Sequence, residues 1–207
     1  METQVKKPVI IYAEGTPNPA SMKFVANQLI IPNGATAQYL SAAETGDAPL
    51  AAKLFSFPFV KAVFLASNFV TVTKAESIQW EDITLELREF IRAYIEDGNP
   101  VINKLPTTEM PVDNTFEEKK EMFTQHKSPT NEIEVKIVEL LEEFIRPAVE
   151  NDGGAITFSG YKDGVVTVQL RGACSGCPSA SFTLKAGIEK LITDSIPEVK
   201  EVVAEEV

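Results

Sequence analysis

A chain of 207 residues, 44% of them apolar, has the material for one large domain or two small ones with packed cores. Its formal net charge of −11 opposes sequence-independent binding to nucleic acid or anionic membranes. No apolar run approaches the ~20 residues of a membrane span, and the opening Met1-Glu-Thr-Gln-Val-Lys-Lys7 resembles neither a secretion signal nor a transit peptide, so a cytoplasmic location is expected.

Residues 9–12, Val-Ile-Ile-Tyr, read as an opening strand. After the turn Thr16-Pro-Asn-Pro19, an apolar run from Met22 to Ile31 ends at Pro32-Asn-Gly34. A short helix is predicted over 49–55, with Pro49 in its first turn. The runs 60–66 and 69–73 flank Ser67-Asn68 and read as a hairpin, with Asn68 suited to a left-handed turn position. A helix from Trp80 to about Glu96 carries the stripe Ile83, Leu87, Phe90, Ile91 and Tyr94, and Gly98 and Pro100 stop it.

Between 99 and 130 the composition changes. Prolines at 100, 106, 111 and 129 interrupt any long element, leaving room for one short helix over 115–124. The segment reads as a linker between domains 1–98 and 131–207, free to act as a tether, with a packed arm as the alternative. His126 is expected to be a solvated loop residue within it.

The second domain opens with a helix whose polar pair, Asn131 and Glu134, stands at capping-box spacing. Its stripe is Ile133, Ile137, Leu140, Leu141, Phe144 and Ala148, with Pro147 bending the last turn. Strands 155–159 and 165–170 are joined through Asp163-Gly164, a type I′ signal. A helix from Ser179 to about Ile192 and a strand over 199–204 complete the order α-β-β-α-β. The fold class is therefore α/β of the α+β type: two small domains, the second a three-stranded sheet with two helices on one face.

Both cysteines lie in Arg171-Gly-Ala-Cys174-Ser-Gly-Cys177-Pro-Ser-Ala180, on the predicted strand-to-helix turn. Free N–H groups and the helix dipole would stabilise thiolate there, lowering the cysteine pKa. Gly172 and Gly176 let the backbone curl around sulfur, Pro178 suits a first helical turn, and the sulfurs are expected to face outward. In a reducing compartment these are thiols or metal ligands. One Cys-x-x-Cys gives two thiolates, whereas an iron–sulfur cluster or structural zinc takes four ligands. Two copies about a two-fold axis would supply them. A thiol–disulfide oxidoreductase and a zinc site bridging two chains fit the motif as well. Asp152 and Asp163 read as turn residues, and Arg146 and Arg171 as ion-pair partners or as neighbours steadying thiolate charge.

The surrounding residues narrow these alternatives. Leu140-Leu-Glu-Glu-Phe-Ile-Arg-Pro-Ala-Val-Glu-Asn-Asp-Gly-Gly154, the cysteine run, Thr183-Leu-Lys-Ala-Gly-Ile-Glu189 and Ile196-Pro-Glu-Val199 closely resemble the NifU-like domain of Nfu-type proteins, over roughly residues 131–204. Ala155 departs from an aspartate common in that family. Thr16-Pro-Asn-Pro-Ala-Ser-Met-Lys-Phe24, Ser56-Phe-Pro-Phe-Val-Lys-Ala-Val-Phe64 and Ser67-Asn-Phe-Val-Thr-Val-Thr-Lys74 resemble the Nfu N-terminal domain, with departures at Ala20 and Met22. The resemblance implies a non-enzymatic iron–sulfur carrier or scaffold. One [4Fe–4S] cluster would be held per homodimer by Cys174 and Cys177 of each chain. Its implied partners are apo iron–sulfur client proteins and the upstream assembly machinery, with no nucleic acid or membrane, and an N-terminal domain in contact with clients or delivery proteins.

Overall fold

In the N-terminal half, short β-branched and aromatic runs punctuated by proline and glycine form an antiparallel sheet. The computed structural model describes residues 8–105, 126–175 and 178–206, with the backbone alone for 178–183 and 206. The strands are β1 (Ile11–Gly15), β2 (Ser21–Ala26), β3 (Thr36–Tyr39), β4 (Val60–Ala66) and β5 (Phe69–Lys74), in the spatial order β1-β2-β5-β4-β3. Helix α1 (Pro49–Leu54) has Pro49 in its first turn, where its missing N–H costs nothing. Helix α2 (Trp80–Glu96) ends at Gly98, whose φ of 75° suits a residue without Cβ. In the β4–β5 turn the positive φ, 22°, belongs to Ser67 and not to Asn68, whose amide instead donates to Ala26 O at 3.2 Å. Strand β3, for which the sequence carries no clear period, pairs Ala37 with Leu65 at the sheet's edge.

Both faces of this sheet are covered. One buries Phe24, Val63, Leu65, Val70 and Val72 against Leu50 and Leu54 of α1 and Leu87 and Ile91 of α2. The other presents Phe64, Ala66 and Phe69, which pack on Ala155 of the C-terminal half. Antiparallel sheets commonly leave one face to solvent, so a second apolar face marks a second layer.

The C-terminal half follows the expected order. Its elements are α3 (Glu132–Leu140), a wide π turn (Leu141–Ile145), α4 (Arg146–Asn151), β6 (Gly154–Lys162), β7 (Val165–Gly172), α5 (Pro178–Ser195) and β8 (Glu201–Glu206). Strand β7 is central, antiparallel to β6 and parallel to β8, and α5 makes the crossover a parallel pair requires. The β6–β7 turn has positive φ at Asp163 and Gly164, 54° and 89°, as a type I′ turn demands. Val166, Val168 and Leu170 pack with Ile156 and Phe158 against Ile137, Leu141, Ile188 and Ile192. Among the described residues no helix is long and apolar enough to cross a membrane.

Two local features differ from the expected pattern. Asn131 caps α3 by accepting from Glu134 N at 2.9 Å, but Glu134 reaches back to Thr130, accepting from its N–H at 2.6 Å and its hydroxyl at 2.8 Å. Further along, Pro147 cannot donate to the carbonyl four residues back, and its ring crowds that carbonyl. The helix widens just before it, with Arg146 N bonding Leu141 O. Insertion of a residue into the turn rotates everything beyond it. The core therefore receives Val149 where the stripe anticipated Ala148, and Phe144 turns outward to 52% exposure.

The linker is packed at both described ends. Asn103 N donates to Asp47 O at 2.7 Å and Val101 is buried in the N-terminal core; the short helix expected over 115–124 lies outside the described residues. His126, expected in solvent, is 4% exposed. Its Nδ1 accepts from Phe158 N at 2.7 Å, which leaves the proton on Nε2 to donate to Glu142, itself bridged to Arg146 at 2.6 Å. Lys127 N donates to Phe158 O at 2.9 Å, so residues 126–127 cover the edge of β6. Replacing His126 with alanine leaves a buried N–H and a buried carboxylate short of a partner, at about 2 kcal/mol. The C-terminal thermal transition should fall by about 8–16 °C, measured by calorimetry at fixed pH.

Candidate functional site

The thiol turn is built by glycines. Strand β7 ends at Gly172, whose φ of 68° swings the chain back across the start of β6. Ala173 N then donates to Gly153 O at 3.2 Å, and Ser175 N to Gly172 O at 3.2 Å. A Cβ on Gly172 would lie 2.7 Å from Gly153 O, and one on Gly154 would lie 2.6 Å from Cys174 Sγ. The two turns pass too closely for any side chain at either position, and the bare Gly154 is the floor on which the sulfur rests.

Cys174 sits between β7 and α5, as the sequence implied, and α5 begins at Pro178. Cys177 lies outside the described residues. The expectation of an outward-facing thiol with a lowered pKa is overturned for Cys174, which is 5% exposed and packs with Val149, Ile188 and the rest of the C-terminal core. Burial pushes its pKa up to about 12, and the negative charge of Asp152 adds to the rise. At neutral pH Cys174 is a protonated thiol. The glycines supply space as well as backbone freedom, and the sulfur turns inward to fill it.

A groove of about 710 Å³ opens beside this thiol. Phe144 and Ile145 of the π turn form one wall, and Leu184 and Leu191 of α5 another. Pro17, from the N-terminal half, also lines it. The exposed Phe144 thus owes its position to the widened turn ahead of Pro147.

The N-terminal sheet reaches the same two glycine turns. Thr71 Oγ1 donates to Gly153 O at 2.7 Å, and Lys23 Nζ to Asn151 O at 3.2 Å. On the cysteine side, Gln38 Oε1 accepts from Gly172 N at 2.7 Å and Asn18 Nδ2 donates to Ala173 O at 3.3 Å. Lys23 is itself buried, with Nζ 4.8 Å from the Phe69 ring centre and 3.5 Å from Glu14. Asn18, Lys23 and Thr71 lie in the runs that resemble the Nfu N-terminal domain, but nothing in those runs or around Gln38 points to the cysteine turn. The available signal was the second apolar face of β4 and β5.

The two arginines near the turn have other occupations. Arg146 pairs with Glu142 at 2.6 Å, and Arg171 donates to Gln169 Oε1 at 3.2 Å while burial lowers its pKa. Asp163 serves its β-turn, whereas Asp152, at the end of α4, lies close enough to act on Cys174. Among the described residues no three of His, Cys, Asp and Glu gather as a metal site.

Residues 11–98 match the family model described as scaffold protein Nfu/NifU N terminal, and residues 137–203 match the NifU-like domain. A Drosophila sechellia protein named "NFU1 iron-sulfur cluster scaffold homolog, mitochondrial" is 34% identical over 203 residues, covering 98% of this chain and 67% of its own. A Drosophila persimilis protein of the same name is 34% identical over 197 residues, covering 95% of this chain and 65% of its own. The chain thus spans about two thirds of the length of these relatives. A solution structure of a NifU-like protein from Saccharomyces cerevisiae, 22% identical, covers 50% of this chain and 93% of its own with a TM-score of 0.44.

Proposed function

The chain belongs to the Nfu/NifU scaffold family, and from that premise we propose that it carries an iron–sulfur cluster between two copies of itself and hands it to apo-proteins. The cluster is cargo and the protein turns over no substrate. Cys174 and Cys177 of each copy are the four donors, and a [4Fe–4S] cubane is the cargo they match. The observation that carries this reading is the seat of Cys174: a thiol held against a bare glycine, at a strand-to-helix turn, with a groove opening beside it.

The raised pKa has a place in this reading. A protonated thiol resists adventitious oxidation and thiol exchange, because the thiolate is the reactive form. Binding of iron displaces the proton, so loading couples to proton release and is favoured by higher pH. The same feature disfavours a thiol–disulfide oxidoreductase in which Cys174 is the attacking thiol, since attack needs substantial thiolate near neutral pH. The domain boundaries 1–98, 99–130 and 131–207 belong to the proposal, with the second domain bearing the donors.

Anaerobic reconstitution with ferrous iron and sulfide tests the reading. A brown protein of doubled mass with about four irons per dimer is expected. A colourless monomer that reduces disulfides catalytically would refute it, as would a dimer that retains one zinc in preference to iron.

A further inference from the structure

The two halves of the chain meet at the thiol turn itself. Side chains from β2, β3, β5 and the β1–β2 turn grip backbone atoms on both of its strands. Lys23 and Thr71 hold Asn151 O and Gly153 O on the β6 side, and Gln38 and Asn18 hold Gly172 N and Ala173 O on the β7 side. Each partner atom belongs to a residue within three positions before Gly154 or Cys174. The grip is shaped as well as hydrogen-bonded. A Cβ on Gly153 would fall 3.0 Å from Thr71 Oγ1, 3.2 Å from Thr16 Cγ2 and 3.3 Å from Lys23 Cβ, and one on Gly172 would fall 2.9 Å from Phe64 Cδ1. The glycines that seat the sulfur also let the N-terminal sheet lie flat on the turn.

Charge and packing complete the contact. Lys23 is a buried cation whose hydrogen bond to the carbonyl end of α4 suits the negative pole of that helix. Phe64, Phe69 and Ala155 exclude water beside it. Pro17 then stands in the wall of the groove that opens on Cys174.

We propose that the N-terminal half is a latch on the cysteine turn, gripping it through Asn18, Lys23, Gln38 and Thr71, and that it must release before a second copy of this chain can bring its own thiols to the same turn. The proposal rests on the cluster-bridging function above. The occupant that competes with the second copy is a segment of the same chain, so closure of the latch is intramolecular and independent of protein concentration, whereas docking of the second copy rises with it. The contact joins four hydrogen-bonding side chains to the apolar cluster of Phe64, Ala66, Phe69 and Ala155, and contacts between domains of one chain commonly open. With the latch closed, the groove wall at Pro17 belongs to this chain. With it open, that side of the groove is free for another copy.

The double variant N18A/Q38A removes both side chains that hold the β7 side and leaves the sheet's apolar faces intact. Loss of one buried and one part-buried hydrogen bond should speed opening roughly tenfold. Three measurements on the full chain read this, each against the parent protein with intact folding checked by circular dichroism. Exchange of the Gly172 amide hydrogen, followed by NMR in the apo-protein, should accelerate by that factor. Alkylation of Cys174 by iodoacetamide at fixed pH, in a Cys177→Ser background, should accelerate likewise. Cluster uptake from iron and sulfide in the double variant with both cysteines should be faster.

Unchanged amide exchange and unchanged alkylation would overturn the latch, whatever the cluster does. Faster exchange and alkylation in a protein that takes up no cluster, with or without the substitutions, would overturn the proposed function and with it the role given to the latch. Should N18A/Q38A fail to fold, Lys23→Met serves in its place: it keeps the buried stem and removes only the ammonium that holds Asn151 O. It should accelerate the Gly172 exchange by a smaller factor, and no acceleration overturns the latch.

Discussion

Cys177→Ser protein should come out of anaerobic reconstitution nearly colourless, with cluster content at least about tenfold below the parent. Changes one shell further out already cost metal sites about ten- to a hundredfold, and this one removes two of the four donors from a dimer. Cys174→Ala should lose the cluster as completely and makes the more informative comparison. Cys174 is packed in the C-terminal core, so serine there would bury a hydroxyl in place of a thiol, at a cost of about 1–3 kcal/mol if it finds no partner. Alanine removes the donor and leaves only a small void. Iron and sulfide assays with the visible absorption spectrum read the loss, and the thermal midpoint of each half reads the fold. Both variants should also remain monomeric under conditions where the parent dimerises on loading. Full cluster content in either would mean that the donors are elsewhere, and the four-thiolate arrangement would fall.

The C-terminal order of elements was legible because each was announced by its own chemistry. Asp163-Gly164 demanded two positive φ angles and received them. Strand β7 alternated apolar and polar residues, and in the fold it alternates buried and half-buried ones. The helix before β6 was legible as a helix but not in its phase. A six-residue stripe assumes an unbroken 3.6 period, and the turn that widens ahead of Pro147 breaks it. Hence Val149 is buried and Phe144 exposed. That slip matters to the site, since Phe144 lines the groove beside the thiol.

The burial of Cys174 was not legible for a related reason. Cys-x-x-Cys beside glycines is equally compatible with a sulfur pointing out, and the choice depends on how closely the β6 and β7 turns approach. That approach is set by Gly153 and Gly154, some twenty residues upstream, together with Gly172. The burial of His126 was illegible for the same reason. Its environment comes from the edge of β6 and from Glu142, which chain position alone could not reveal. The latch was half legible. Val60-Lys-Ala-Val-Phe-Leu-Ala66 and Phe69-Val-Thr-Val72 place apolar residues at neighbouring positions and so on both faces of their sheet, which foretells a second layer. The polar side chains that complete the grip are ordinary strand and turn residues, and only the packed structure brings them to the cysteine turn.

Gly154→Ala should destabilise the C-terminal half severely, because the added methyl has nowhere to go. Its Cβ would stand 2.6 Å from both Arg171 O and Cys174 Sγ, and 3.1 Å from Cys174 Cβ. The sulfur could move only by leaving the core, and Arg171 O is held in the β6–β7 ladder, where Arg171 faces Ala155. Either the ladder end opens or the thiol turn lifts, at about 3 kcal/mol or more. The corresponding midpoint should fall by about 12–24 °C. If the turn lifts, the Gln38 and Asn18 contacts go with it, so Gly172 amide exchange should quicken in the same variant. Gly187→Ala is the matching control. A Cβ there meets nothing within 4 Å, and the position lies inside α5. Exchange of a helical glycine for alanine lowers the entropy of the unfolded chain and should stabilise by about 0.5–1 kcal/mol. The same substitution is thus expected to act with opposite signs at two positions in one small domain. Backbone freedom cannot produce that difference, whereas a sulfur seated on Gly154 can. Equal and small effects at both positions would place the thiol of Cys174 somewhere other than on that glycine.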